Sequence, residues 1–189
     1  MSYFPAFIKL KNVKVLIVGG GKIATEKLQR MLDFTKEVSV LAPDLSSLMQ
    51  KLITENSLDY MNKIYHKGDI DGFGIVIVAV DDIKVQEQVY NESREKGILC
   101  NSVDSVNYCD FIFPSYIKNG DLTIAVSTSG ASPAVAKQLR IFLENIIPSS
   151  ISQFLFEMKN LRKSMPKGKE RMVLLEKKAK DYFQNIKKL

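Results

Sequence analysis

The sequence predicts an α/β fold, with a parallel sheet and flanking helices in the first half of the chain, then a hairpin and an all-helical tail. Three observations carry this. Short β-branched runs alternate with amphipathic helical stretches as far as residue 101, the pattern of βαβ units. The strand-like runs are apolar at nearly every position, which suits strands covered on both faces. Beyond residue 111 the alternation gives way to a hairpin signal and then to helical spacing alone.

Residues 13–18 (VKVLIV) read as the first strand, and 22–34 as a helix with Leu28 and Leu32 on its buried side. Residues 38–41 form the second strand, 44–54 a helix, and 58–65 the third strand. Residues 75–80 (IVIVAV) are the fourth and most apolar strand. A polar-faced helix over 84–96 stops at Gly97, and 98–101 is a short fifth strand. Residues 111–117 and 122–127 flank Lys118-Asn119-Gly120-Asp121, and Asn-Gly between apolar runs is a strong hairpin signal. Helices follow over 134–147, ended by Pro148, and over 151–163 and 170–186, broken at Met165-Pro166-Lys167-Gly168.

At 189 residues, 46% hydrophobic and 25% charged, the chain can bury a proper core. The first residues lack the pattern of a secretory signal, and the longest apolar runs are too short to cross a bilayer; a cytoplasmic protein is expected. Cys100 and Cys109 form neither a CxxC pair nor a metal cluster, so free buried thiols and no metal site are expected. Residues 157–189 carry eleven Lys or Arg against four acids, whereas the first 156 residues carry 16 bases and 17 acids. The basic tail is either a solvated helical face or an attractor of a polyanion. Its bases alternate with helix-spaced apolar residues rather than surface aromatics, which argues against nucleic acid.

The strongest local signal is Gly19-Gly20-Gly21-Lys22-Ile23-Ala24. It supplies G-x-G-x-x-A between a buried strand and a helix, the context of a Rossmann-type dinucleotide site. Gly19 permits the turn, Gly21 admits the pyrophosphate, and the amides at Lys22 and Ile23 open the helix toward phosphate. The second strand ends at Pro43-Asp44. Asp44 lies 23 residues after Gly21, where a ribose-binding acid is expected; it is equally suited to cap the next helix. No Arg or Lys follows closely to take a 2′-phosphate, which favours NAD over NADP. Ala79, Asp81 and Asp82 close the fourth strand at the ligand-binding edge, with Asp82 read either as a cofactor contact or as a helix cap. Cys100-Asn101-Ser102-Val103-Asp104 ends the fifth strand. Asp104 there is either a turn residue or a general base. Ser127-Thr128-Ser129-Gly130-Ala131-Ser132-Pro133 opens a helix, with Ser132 as cap and Pro133 as first residue; its other reading is an anion-binding edge. His66 reads as a surface residue.

In this order the motifs resemble the precorrin-2 dehydrogenase / sirohydrochlorin ferrochelatase family, also found as the N-terminal part of siroheme synthase. The resemblance covers residues 3–145 and rests on Tyr3-Phe4-Pro5-Ala6-Phe7, Val18 to Gly21, Ala42-Pro43, Ala79 to Asp82, Asn101 to Asp104, Phe111 to Ser115 and Ser127 to Pro133. The chain departs from the family at Glu26, Val80 and Val106. The resemblance implies an NAD-binding Rossmann domain over 1–110, a dimerising hairpin and helix over 111–147, and a C-terminal helical region over 148–189. It implies a homodimer that oxidises the tetrapyrrole precorrin-2 to sirohydrochlorin and reduces NAD. It further implies Asp104 as catalytic residue, with Asn101, Ser127, Thr128 and Ser129 toward the substrate. A substrate with eight carboxylates suits the positive tail. Two other functions stay open: a bifunctional enzyme that also inserts ferrous iron, and an NAD-sensing module without chemistry. Short-chain dehydrogenase chemistry is disfavoured, because no Tyr-x-x-x-Lys occurs in the sequence.

Overall fold

The computed structural model describes residues 3–186. Residues 1–2 and 187–189, the outer ends of the first and last expected segments, lie outside the described residues. The chain forms two compact units, one of Tyr3–Ile112 and one beginning at Phe113.

The first unit holds a five-stranded parallel sheet. Its strands are β1 (Val15–Val18), β2 (Val38–Leu41), β3 (Asp59–Met61), β4 (Ile75–Val78) and β5 (Leu99–Ser102), in the order β3-β2-β1-β4-β5. Three helices belong to it, α1 (Lys22–Leu32), α2 (Ser47–Asn56) and α3 (Ile83–Lys96). Every residue of β1, β2 and β4 is buried, as expected of parallel strands covered on both faces. Val18 pairs with both Leu41 and Val78, and Val78 also pairs with Ser102. Four strands therefore end at one level, and the loops that follow them share one edge.

Several boundaries differ from expectation for identifiable reasons. The third strand stops at Met61 rather than 65, because Tyr65 turns away to hydrogen-bond Glu92 on α3. The crossover from β3 to β4 consequently runs over residues 62–74 without a helix. The fourth strand ends at Val78, and the Ala79 amide bonds back to the Val18 carbonyl at 2.8 Å. Leu28 is buried in α1 as expected, whereas Leu32 is only half-buried and Met31 takes the interior position. Helix α2 starts at Ser47, and its cap is Ser46, whose Oγ accepts the Met49 amide at 3.2 Å. The capping alternative for Asp44 therefore fails. Asp82 does cap α3, accepting the Lys84 amide at 2.9 Å, and Gly97 ends that helix in the left-handed region as expected.

The second unit contains the hairpin β6 (Ser115–Asn119) and β7 (Leu122–Val126), then α4 (Pro133–Ile146), α5 (Ile151–Ser164) and α6 (Lys169–Ile186). Asn119 pairs with Leu122, so the connection is Gly120-Asp121 and the glycine holds its first central position at φ +58°. A Cβ on Gly120 would meet Ser152 Oγ of α5 at 2.2 Å, so a larger residue there would make the serine side chain turn away. Ser132 caps α4, accepting the Val135 amide at 3.3 Å, and Pro133 opens it. Phe154 of α5 stacks on Tyr182 of α6 at 4.0 Å.

Candidate nucleotide site and the loop of Asp104

After Val18 the chain turns through Gly19-Gly20-Gly21 into α1. Gly19 stands at φ +125°, and a Cβ there would meet the Ala79 carbonyl oxygen at 2.3 Å. A Cβ on Gly20 would meet the Asp44 carbonyl oxygen at 1.9 Å. These two glycines let the bend lie against the loops that follow β4 and β2. Gly21 is different, because no described atom lies within 4 Å of the position its Cβ would take. It caps α1 without a side-chain bond, so the first-turn amides of the helix lack intrahelical acceptors. An open cradle before a helix start is a seat for an anionic group such as a pyrophosphate, and the residues present fit a dinucleotide. Thr25 braces the bend from below, bonding the Gly21 carbonyl at 2.8 Å and Ser46 Oγ at 2.9 Å.

The bend forms one wall of a cleft of about 790 Å³ at the carboxyl ends of the strands. Of the residues expected to hold a cofactor, Gly19, Gly21, Lys22, Ile23, Pro43, Asp44, Ala79 and Asp81 line it. Asp104 lines the same cleft, together with Val103 and Ser105. Asp82 is not on the lining; its side chain is engaged as the cap of α3. Lys22 is the only Lys or Arg among the described lining residues.

Asp104 sits at φ +62°, left-handed for a non-glycine residue, and is exposed. Its turn is held from several sides. The Val103 amide bonds the Val78 carbonyl at 2.9 Å, and the Ser105 amide the Ser102 carbonyl at 3.3 Å. The Cys109 thiol donates to the Ser102 and Ser105 carbonyls at 3.0 and 3.3 Å. Burial pushes this thiol above its ordinary range, which keeps it a neutral donor. Gln86, 6% exposed, joins this turn to the loop after β4. Its Nε2 donates to the Val80 carbonyl at 2.7 Å, and its Oε1 accepts the Ser105 hydroxyl. Burial, with Arg30 nearby, pushes the Lys27 ammonium below its ordinary range against the opposing pull of Asp104. A cation on α1 is thereby within electrostatic reach of the Asp104 carboxylate.

Asn101 is only 5% exposed. Its Nδ2 donates to the Phe111 carbonyl at 2.8 Å, and it forms an isolated bridge with Cys109. It ties the returning segment to β5 and does not reach the cleft lining. In the second unit Ser127, Thr128 and Ser129 shape a local turn. Ser127 Oγ accepts the Ser129 amide at 3.0 Å, and Thr128 Oγ1 bonds the amide and carbonyl of Ser132 at 3.1 and 3.0 Å. Ser127 and Ser129 remain exposed, as does His66. Both cysteines are free as expected, with Cys100 buried and Cys109 only half-buried. The sequence reading missed Gln86, Ile64, Tyr65 and Ile83. Nothing local marks them; the cleft brings them together from separate elements.

A family model described as "Putative NAD(P)-binding" matches residues 6–115, more than half of the chain. A second, described as "Sirohaem biosynthesis protein central", matches residues 119–146. The chain belongs to the "Putative NAD(P)-binding" family. The siroheme synthase of Methylococcus capsulatus is 36% identical over 183 residues, 97% of this chain and 38% of the relative. Siroheme synthase 1 of Serratia proteamaculans is 35% identical over 153 residues, 81% of this chain and 32% of the relative. The chain thus spans 38% and 32% of the length of these two curated relatives. Among solved structures, SirC, a precorrin-2 dehydrogenase, is 25% identical with a TM-score of 0.78, covering 99% of this chain and 100% of that one. The fold with its five-stranded Rossmann-type sheet is therefore shared with that structure. No helix among the described residues is long and apolar enough to cross a membrane.

Proposed function

We propose that this chain is an NAD-dependent precorrin-2 dehydrogenase that converts precorrin-2 to sirohydrochlorin. The observation that carries this reading is one cleft lined by both the glycine bend and Asp104. Gly19, Gly21, Lys22 and Ile23 would seat the pyrophosphate, Pro43 and Asp44 the adenosine ribose, and Ala79 and Asp81 the middle of the cofactor. Asp82 supports that loop by capping α3. Bound NAD supplies the acceptor for a hydride from the macrocycle. The Asp104 carboxylate takes or orients the proton released with it, so that two electrons and two protons leave precorrin-2 and NADH forms with one free proton. Asp44 at the end of β2, with Lys22 as the lone basic residue on the described lining, favours NAD over NADP.

The remaining assignments follow from the same reading. Asn101 supports the Asp104 turn, and the exposed hydroxyls of Ser127 and Ser129, with Thr128, serve the substrate's carboxylates. Residues 1–110 act as the NAD-binding domain, 111–147 as the dimerising segment and 148–189 as a helical region. Val135, Leu139, Phe142 and Ile146 form a stripe on α4, each between 43% and 58% exposed, and this apolar face supports a homodimer. A cytoplasmic protein with no nucleic-acid or membrane partner fits this role.

The test is an anaerobic incubation with precorrin-2 and NAD, followed by NADH absorbance. The wild-type chain should reduce NAD, and Asp104→Asn should lose about 10²- to 10⁴-fold in rate while still binding NAD. Full activity in Asp104→Asn would remove that residue from the chemistry. NAD binding without turnover in the wild type would instead favour the sensing module.

A further inference from the structure

Away from the glycine bend, the nucleotide-binding unit contains a buried carboxylate. Glu92, in the C-terminal half of α3, is 2% exposed. A carboxylate removed from water persists only where its oxygens are well bonded, and both oxygens of Glu92 are engaged. Tyr65 Oη donates to Oε2, and the Gly68 amide donates to Oε1 at 2.9 Å. Lys96 Nζ donates to the same Oε1 at 2.5 Å and also bonds Asp71. Burial raises the Glu92 carboxyl, but these donors outweigh it and hold the group below its ordinary range. Tyr65, Gly68 and Asp71 all belong to the 62–74 crossover.

That crossover has no helix of its own, so no i→i−4 ladder fixes its backbone. Asp69 closes its outer part locally, accepting Lys63 Nζ at 2.7 Å and the His66 amide at 2.9 Å. Ile70 sinks fully into the core and Lys67 pairs with Glu95 at 3.1 Å, while Glu92 is the buried group on α3 that holds Tyr65, beside Ile64, to that helix. The segment also lines the cleft, through Ile64 and Tyr65. Ile64 is 61% exposed, and Ile83, on the same lining, is 53% exposed. Two bare isoleucines on a cleft wall suit a flat apolar ring. The crossover begins after β3, at the sheet edge opposite β5 and Asp104. Its wall therefore serves the end of the cofactor remote from the chemistry, the adenosine end.

We propose that Glu92 is a positioning residue for the dinucleotide: through Tyr65 it sets Ile64 as a fixed wall for the adenine base. Holding the segment in place beforehand spares the cofactor the cost of ordering it on binding. The inference rests on the dinucleotide-binding reading and adds a residue that touches neither cofactor nor substrate.

The experiment measures dissociation constants of NAD and of ADP-ribose for the full chain and for Glu92→Gln, Tyr65→Phe and Ile64→Ser, beside kcat at saturating NAD. Each variant should weaken NAD and ADP-ribose alike, by about five- to tenfold. For Glu92→Gln, kcat should stay within about twofold, so that the loss appears in KM. A Glu92 that merely held the fold would lower the melting temperature and leave the ADP-ribose constant of the folded protein unchanged, which overturns the proposal. Should Glu92→Gln fail to fold, Ile64→Ser, an exposed substitution, decides; ADP-ribose binding equal to wild type there also overturns it. If wild-type protein binds neither NAD nor ADP-ribose, the dinucleotide reading itself falls. If wild type binds and the folded variants bind equally well, only the role of Glu92 falls.

Discussion

Gly21→Ala separates cofactor binding from folding. The residue occupies φ −79° and ψ −170°, a region open to alanine, and its Cβ would meet no described atom within 4 Å. Two small effects on stability then oppose each other. Alanine is a poorer N-cap than glycine by about 0.5–1 kcal/mol, while loss of glycine's freedom in the unfolded chain returns about 0.4–1 kcal/mol. The net change should lie within about 0.5 kcal/mol, roughly 3 °C or less in melting temperature for a unit of this size. The added methyl occupies the cradle before the amides of α1, where an intruding group costs about 1–3 kcal/mol, or about five- to 150-fold in NAD affinity. Gly19→Ala is the control. It forces alanine to φ +125° and its Cβ to 2.3 Å from the Ala79 carbonyl, so it should lose about 2–4 kcal/mol of stability. Calorimetric titration with NAD, paired with thermal unfolding, reads both quantities. Wild-type NAD affinity in a folded Gly21→Ala would refute the bend as the pyrophosphate seat.

Further outcomes follow from the same geometry. Gln86→Met and Ser105→Ala should each lower kcat by about tenfold. Their combination should be no worse than Gln86→Met alone, since both break the bond that steadies the Asp104 turn; additive losses in the double-mutant cycle would show that they act separately. Glu92, held below its ordinary value of 4.5, contributes stability that is complete above that pH and lost as pH falls through its lowered folded value. Urea midpoints from about pH 7 to about pH 3 should therefore drop on the acid side, and Glu92→Gln should flatten that limb; an unchanged slope would contradict the assignment. Leu139→Glu, at the centre of the α4 stripe, should yield monomers by light scattering, and an unaltered mass would remove that face from self-association.

The sheet and the bend were legible because each rests on neighbours in sequence. Val15 to Val18 needs only its own apolar run to announce a covered strand, and Gly19 to Gly21 only the strand and helix at its sides. Gly97, Ser132 and Pro133 were readable for the same reason, since a cap bonds within its own turn. What escaped depends on distant partners. Asp44 suited the cap by type, but Ser46 holds the place, its amide anchored by the Gly20 carbonyl at 2.8 Å. The third strand looked longer than it is because Tyr60 and Tyr65 suit a strand, but Tyr65 is drawn off by a carboxylate 27 positions later. Asn101 is legible in sequence only as part of a motif, whereas the fold commits its Nδ2 to the Phe111 carbonyl and leaves its buried Oδ1 without a partner among the described residues. Gln86 looked like any polar residue on a helix; only the fold sets it between two loops.

The rims of the parallel sheet also bear on how the protein keeps to itself in a crowded solution. An open rim of unpaired amides and carbonyls invites a foreign strand to zip onto it. On one side β3 offers just three residues, too little for lasting attachment. On the other, the chain doubles back so that Cys109 meets Asn101, the Asp110 amide binds the Cys100 carbonyl at 2.8 Å, and the Asp110 carboxylate takes the Cys100 amide at 3.0 Å. The same fold-back that presents Asp104 thus fences the β5 rim against intermolecular strand addition, and substitutions that loosen it should raise the tendency to aggregate along with any loss of turnover.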